Sequence, residues 1–379
     1  MRRSRRRDVG FYTPWVTERL SERTDVSGSG GAETQAVLIT RALARRGLKV
    51  SIVVHSDPGV DLPASDGGVD IVTRRPYDQG GPLRRVREIG RLWAGVRASD
   101  AKVVVTYCAG FWVGLVGLCA KLSRRRFVFA SASDGDFQPE TWLGKRRERF
   151  LYRLGLALTS TIVVQTEEQV QLCERRLGRV PILIKSACEP AERSERPSEA
   201  FLWAARADAN KRPLEYLELA RSLPDARFWM VVRAARGPEF AELWAEVQRA
   251  AETIPNLELL PFRPRSDLME LMERAVAIVS TSELEGLPNV FLEGWARGIP
   301  SLALSHDPDG VISRYRLGGF AEGRRDRLVD LARELWNTRA DRDGCAARCR
   351  AYVQANHSIE EVGAQWAAAL GLSHDGAGR

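Results

Sequence analysis

Short runs rich in β-branched and apolar residues recur along the chain, each followed by a stretch with helical spacing, and this alternation restricts the fold more than any other feature. Strand-like runs fall at Asp8 to Tyr12, Lys49 to His55, Val69 to Val72, Lys102 to Thr106, Arg126 to Ala130 and Thr161 to Val164. Helices are expected over about Glu33 to Arg46, Leu83 to Arg97, Phe111 to Leu122 and Trp142 to Leu158. Strands joined by helices in this way build a parallel sheet covered on both faces. Ligands of such sheets bind beyond the carboxyl ends of the strands.

The pattern is interrupted once. Lys185 to Ser198 is polar and contains proline, which reads as a linker over residues 185–198 between an N-terminal domain, 1–184, and a second domain, 199–357. Strands are then expected at Phe201 to Ala204, Arg227 to Val232, Leu257 to Leu260, Ala275 to Val279 and Pro300 to Leu304, with helices from Pro213 to about Arg221, Pro238 to Ala251, Arg324 to Thr338, Ala340 to Gln354 and Ile359 to Leu370. With 379 residues, 44% of them hydrophobic, the chain is long enough for two cores. The fold class is therefore α/β, with two Rossmann-like doubly wound domains.

The formal net charge of +8 favours anionic partners without choosing among them. Five arginines precede the first strand in Met1 to Arg7, read either as a solvated tail or as a weak membrane-surface contact. No run reaches the ~20 apolar residues of a membrane span, and no signal-peptide core follows the arginines. Cys108, Cys119, Cys173, Cys188, Cys345 and Cys349 form no CxxC pair, and no metal site is expected. The expectation is a cytoplasmic protein with reduced thiols, with a peripheral place at the inner membrane face as the alternative. No aromatic and basic interleaving of a nucleic-acid reader is present.

The stretch from Ser280 to Pro300 carries the strongest chemical signal. It reads as the end of a strand, a loop through Gly286, and a helix that begins near Pro288 and stops at Gly298. Amides of Gly286, Leu287 and Asn289 at that helix start suit an anion or a sugar hydroxyl. Glu285 and Glu293 frame the turn; Glu293, among Phe291, Leu292 and Trp295, sits where a carboxylate needs a partner. A helix carboxylate helped by the dipole is the bland reading of either.

Four further loops lie where the strands would end. Ser27 to Glu33 is a glycine-rich turn opening a helix, in which Gly30 and Gly31 could face a diphosphate and Ala32 and Glu33 start and cap the helix; Glu33 stands where a dinucleotide fingerprint has its third glycine, and a linker is the bland alternative. Ser131 to Phe137 supplies Asp134 and Asp136, which suit either a divalent-metal site or, the preferred reading, an acceptor-hydroxyl contact from Asp134. Arg206 and Lys211 lie in a loop after a strand, where an arginine can fork onto phosphate oxygens and a lysine adds a compact charge; solvated cations are the alternative. Phe262 and Arg263 follow another strand, with Phe262 equally at home in the core.

E-G-L-P-N-V-F-L-E over residues 285–293 resembles the E-x7-E signature of retaining glycosyltransferases of the GT-B fold, most closely glycosyltransferase family 4. The resemblance implies that Glu285 contacts the transferred sugar and Glu293 the ribose hydroxyls, that Gly30 and Gly31 lie in the family's Gly-Gly-Ala-Glu loop, and that Arg206 and Lys211 are its diphosphate-binding pair. By the same resemblance Phe262 and Arg263 stand where the nucleotide base is enclosed, and residues 358–379 cross back to the first domain before fraying. Gly286, Leu287, Pro288 and Asn289 complete the donor loop. The family's histidine after the middle strand has no counterpart, and Asp134 is the group left in its place. The implied activity is retaining, metal-independent sugar transfer from a nucleotide-sugar substrate to a glycan, lipid-linked or small-molecule acceptor, with no cofactor and no nucleic acid. Alternatives are a nucleotide-sugar epimerase of the same fold and a non-catalytic nucleotide- or glycan-binding protein on this scaffold. A glycosidase reading of the two glutamates is disfavoured by the nearby phosphate-type cations.

Overall fold

The computed structural model describes residues 6–14, 16, 20, 30–55, 60–74, 82–141, 143–233, 238–263 and 265–372. Met1 to Arg5 of the basic start, Ser27 to Ser29, Trp142 and the expected frayed end from Asp375 to Arg379 lie outside them. The chain forms two compact α/β units, Met1–Ala187 with Ile359–Arg379, and Cys188–Ser358.

The first unit is built on β1 (Arg7–Tyr12), β2 (Val50–His55), β3 (Ser65–Asp66), β4 (Val69–Arg74), β5 (Ala101–Tyr107), β6 (Arg126–Ala130), β7 (Thr161–Val164) and β8 (Ile182–Leu183), in the spatial order β3-β4-β2-β1-β5-β6-β7-β8. All neighbours are parallel except the short β3, which runs antiparallel to β4. Successive side chains of a strand point to opposite faces, and both faces here are apolar. Phe11, Ile52, Val105 and Val128 enter one core with the helix Gly31–Arg45, while Tyr12, Val53, Val104 and Phe129 enter another with the helices Trp112–Leu122 and Arg146–Leu158. That two-sided burial explains why the strands read as continuous apolar runs.

The second unit is a six-stranded parallel sheet of β9 (Ala200–Arg206), β10 (Phe228–Arg233), β11 (Leu257–Leu260), β12 (Ala275–Ser280), β13 (Ser301–Ala303) and β14 (Gly318–Phe320), ordered β11-β10-β9-β12-β13-β14. Counted within the unit, this is the 3-2-1-4-5-6 order of a Rossmann domain. The β4-β2-β1-β5-β6-β7 part of the first sheet repeats it. In each sheet the strand order reverses beside the first strand, between β1 and β5 and between β9 and β12. Such a reversal opens a crevice at the carboxyl ends of the strands.

Several boundaries differ from expectation. The stretch expected as a linker is divided: Ala187 belongs to the first unit, where the Gln35 carboxamide donates to its carbonyl at 2.9 Å and accepts from its amide at 2.7 Å, and Cys188 belongs to the second, its amide donating to the His357 carbonyl at 2.9 Å. Helices Glu167–Leu177 and Arg265–Glu273 and strand β14 were not expected. β9 extends through Arg206, so that arginine ends a strand rather than sitting in a loop. Pro288 stands at the cap, not the first turn, of the helix Asn289–Ala296. The helix Ile359–Ala369 packs on Gly31–Arg45 within the first unit. Among the described residues no helix is long and apolar enough to cross a membrane.

Candidate functional site

The crevice of the second sheet is built from the loops that follow β9 and β12. After β9, Asp208 accepts a hydrogen bond from the Lys211 amide at 3.0 Å and so closes a single 3-10 turn, Ala209–Lys211. Arg212 takes a left-handed backbone, φ +47°, just ahead of Pro213. After β12, Thr281 and Ser282 are buried and Glu285 leads into the helix Asn289–Ala296.

The two loops are fastened to each other. The Asn210 side chain donates to the Leu284 carbonyl at 2.7 Å and accepts from the Leu284 amide at 3.0 Å, while the Asn210 carbonyl accepts from the Glu283 amide at 3.0 Å. The Thr281 hydroxyl donates to the Lys211 carbonyl at 2.6 Å and accepts from the Trp203 indole at 3.0 Å. These bonds bring the Lys211 ammonium into direct contact with the Glu285 carboxylate, to which the Ser282 hydroxyl also donates at 3.1 Å.

Arg206 is exposed, with its Nε 3.7 Å from the Asp208 carboxylate. Burial pushes the Lys211 ammonium down to about 8; Asp208 opposes that shift and the Arg206 charge adds to it. The contact with Glu285 also favours the protonated lysine. Each of the two cations thus faces a carboxylate, Arg206 that of Asp208 and Lys211 that of Glu285.

Glu293 projects from the helix Asn289–Ala296 and is 8% exposed. Its partner is Arg265, the first residue of Arg265–Glu273, in an ion pair that the sequence did not suggest. Burial alone lowers the Arg265 pKa; the charge and hydrogen bond of Glu293 more than offset it, so the guanidinium is held firmly protonated. Gly286 and Leu287 lie in the loop ahead of this helix, Pro288 caps it, and Asn289 opens it. Phe262 and Arg263 are half-buried after β11, and the Arg263 Nε is buried without a hydrogen-bond partner among the described residues.

In the first unit, Gly30 caps the helix that Gly31 opens. The Glu33 carboxylate accepts from the Gly30 amide at 2.7 Å. The capping expected of Glu33 is therefore present, and the Gly30 amide expected to face an anion is engaged within the chain.

Asp134 begins the single turn Asp134–Phe137, capped by Ser133, and is 4% exposed. Asp136 accepts from the amides of Ala132 at 2.7 Å and Ser133 at 3.3 Å and from the Ser131 hydroxyl at 3.1 Å. Burial nevertheless raises its carboxyl to about 6, those hydrogen bonds opposing the shift. Gln165 bridges the Tyr107 hydroxyl and the Ser131 carbonyl, each at 2.8 Å, beside this turn. Among the described residues no three His, Cys, Asp or Glu side chains are placed to hold a metal ion.

Asp208, Asn210, Thr281, Ser282 and Arg265 are the site residues that sequence reasoning missed. Asp208 alone had a local signal, an acidic residue three positions before Lys211 that suits a turn cap.

Residues 30–184 match the family model described as a glycosyl transferase 4-like domain, and residues 189–315 that described as glycosyl transferases group 1. Glycosyltransferase 1 domain-containing protein 1 of Xenopus tropicalis is 27% identical over 115 residues, 30% of this chain and 33% of that protein, so the match spans about a third of that relative's length. In structure the chain is similar to sucrose-phosphate synthase of Thermosynechococcus elongatus, with a TM-score of 0.73 and 16% identity over 96% of this chain and 98% of that one. It is also similar to HepE of Anabaena in complex with UDP and glucose, with a TM-score of 0.72 and 15% identity over 96% and 99%. The structural likeness carries the fold, and the two family models together span most of the chain: it belongs to the glycosyltransferases of the GT-B fold, of the family-4-like kind.

Proposed function

We propose that the protein transfers a sugar from a nucleoside-diphosphate sugar to an acceptor hydroxyl with retention at the anomeric carbon, using no metal ion. The observation that carries this reading is the Lys211–Glu285 contact at the crevice of the second sheet, with Arg206 exposed beside it. Arg206 and Lys211 would bind the diphosphate and stabilise the charge it gains as the bond from the anomeric carbon to the phosphate oxygen breaks. Glu285, held by Lys211 and Ser282, would orient the sugar, and Glu293, held by Arg265, would receive the ribose hydroxyls. Phe262 and Arg263 would border the base, and Gly286 to Asn289 the phosphates and sugar.

The acceptor oxygen attacks from the face that the diphosphate leaves, and its proton passes to the leaving phosphate oxygen. No covalent intermediate with the protein forms. In the first unit, Asp134 is assigned to the acceptor hydroxyl, and Gly30 and Gly31 to the loop facing the donor phosphates. The complex of HepE with UDP and glucose supports trying uridine nucleotides first.

The test is calorimetric binding of UDP, GDP, ADP and their glucose conjugates to the wild type, Arg206→Ala and Glu293→Ala, followed by turnover with and without a chelator. One base should bind, and each variant should weaken it ~10-fold or more, since a charged hydrogen bond is worth about 1.5–3 kcal/mol. A folded protein that binds no nucleotide would end this reading. Binding without diphosphate release in any acceptor screen would leave a carbohydrate or nucleotide binder.

A further inference from the structure

The helix Asp343–Asn356 carries two cysteines four positions apart, Cys345 in its first turn and Cys349 one turn on. That spacing puts both on one side of the helix. Their sulfurs meet consecutive carbonyls of one neighbouring segment: the Cys345 Sγ lies 3.8 Å from the Arg316 oxygen, and the Cys349 Sγ 3.7 Å from that of Leu317. Arg348 turns to the same place, its Nε donating to the Arg316 carbonyl at 3.1 Å. Cys349 is fully buried, whereas Cys345 is half-buried and Arg348 exposed. None of the three belongs to the candidate site.

The two thiols hold their protons unequally. A hydrogen bond from Cys349, helped by the charge of Arg348 and a hydrogen bond from it, brings the Cys345 thiol down to about 7 against the cost of burial. The hydrogen bond to Cys345, together with burial, pushes the Cys349 thiol well up. The thiolate is the nucleophile, so Cys345 is the reactive member. Burial raises the thiols of Cys119 and Cys173 to about 11 and that of Cys188 to about 12, which leaves them inert by comparison.

We propose that Cys345 and Cys349 are a peroxide-reactive dithiol, Cys345 taking the oxidant and Cys349 resolving it to a disulfide within the helix. The Cys345 thiolate attacks hydrogen peroxide: an S–O bond forms, the O–O bond breaks, and the hydroxide released takes a proton from solvent and leaves as water. The sulfur has lost two electrons and is a sulfenic acid. The Cys349 sulfur then attacks it, the S–S bond forms, and the thiol proton leaves with the hydroxyl as a second water. Side chains four apart on a helix hold their Cβ atoms about 5–6 Å apart, and a disulfide needs about 3.5–4.5 Å. Closure therefore opens the first turn. Asp343 and Gly344 are exposed there, and the first amides of a helix have no intrahelical bond to lose. Ala346 holds the helix from that point on, buried against Gly298, where an added Cβ would lie 2.8 Å from its own. A disulfide closed against that resistance is readily reduced, which makes the modification reversible.

The full chain is to be treated with hydrogen peroxide and digested with trypsin, which cuts after Arg348 and so separates the two cysteines. The peptides 343–348 and 349–350 should be recovered joined, lighter by two hydrogens, and be parted by dithiothreitol, with Cys119, Cys173 and Cys188 still thiols. Cys349→Ser should stop at the sulfenic acid, trapped by dimedone on Cys345, and Cys345→Ser should give neither product. Arg348→Gln should slow the first step ~3-fold or more while the joined peptides still form. Oxidation of the wild type that begins at Cys108, or strikes all cysteines alike, overturns the proposal. So does a sulfenic acid that persists on Cys345 with Cys349 in place, a disulfide found only between two chains, or no reaction with peroxide.

Discussion

At the scale of single residues, the site depends on charges that only the fold brings together. Lys211 has its pKa lowered to about 8 by burial, so its charge is present below that value and fades as pH rises through it. Nucleoside-diphosphate affinity should then fall above pH ~8, by up to ~10-fold per unit, since one pKa unit is 1.36 kcal/mol. Lys211→Arg, which stays charged, should flatten that fall even if it binds more weakly overall. Calorimetry across the pH range checks this, and an identical slope in both proteins would remove Lys211 from the diphosphate site. The same shift bears on stability with opposite sign. Between about 8 and the ordinary lysine value of 10.5 the unfolded chain binds the extra proton, so stability contributed by this group rises with pH. Glu285, Glu293, Arg206 and Lys211 stand out as candidates in the sequence because their spacing to strands and glycines is local. Asn210 and Arg265 were not: one joins loops 74 residues apart and the other pairs with a carboxylate 28 residues away, and nothing in the neighbouring sequence marks either contact.

At the scale of elements, the buried parallel strands were readable because burial on both faces leaves unbroken β-branched runs, as in Val103 to Val105. The helix Glu167–Leu177 was missed although both its ends are signed. Thr166 accepts from the Gln169 amide at 3.2 Å, and Gly178 stops it in the left-handed region at φ +64°. Its buried positions, Gln169, Leu172 and Cys173, include a polar one and sit among charges, which blurred the helical period. The close crossing of Trp112–Leu122 with Arg146–Leu158 was likewise invisible, since a glycine in a helix reads as a weak point until its neighbour is known. Gly114→Ala should cost about 1–3 kcal/mol or more, because the new methyl group overlaps the Leu151 backbone and no side chain can move aside. Gly144→Ala, with nothing within 4 Å, should be neutral or slightly stabilising. Urea unfolding of the pair separates the two, and equal stabilities would show that the crossing is looser than described.

At the scale of the whole molecule, the chain closes its first unit with its last helix. Ile359–Ala369 returns from the second unit to lie on Gly31–Arg45, where Gly363 allows the approach: a Cβ there would lie 2.9 Å from that of Ala42. Trp366 is 1% exposed, with its ring 5.9 Å from Phe11 and 6.4 Å from Tyr107, so β1 and β5 share this cover. Ile359, Val362 and Leu370 are buried in the same core. Fully burying each large apolar side chain contributes about 1.5–3 kcal/mol, and a domain's net stability is only about 5–15 kcal/mol. A chain ending at Ser358 therefore loses most or all of what keeps its first unit folded, while every residue of the second unit remains. Hydrogen exchange should show protection lost from Gly31–Arg45 and β1 but kept in β9 and β12. Trp366→Ala, at a cost of about 3–5 kcal/mol, should produce the same pattern at lower denaturant. Retained protection of Gly31–Arg45 after truncation would mean that the first unit folds without its last helix. Loss of protection in both sheets would mean instead that the two units unfold as one, and the stability of the candidate site would then depend on a helix that belongs to the other unit.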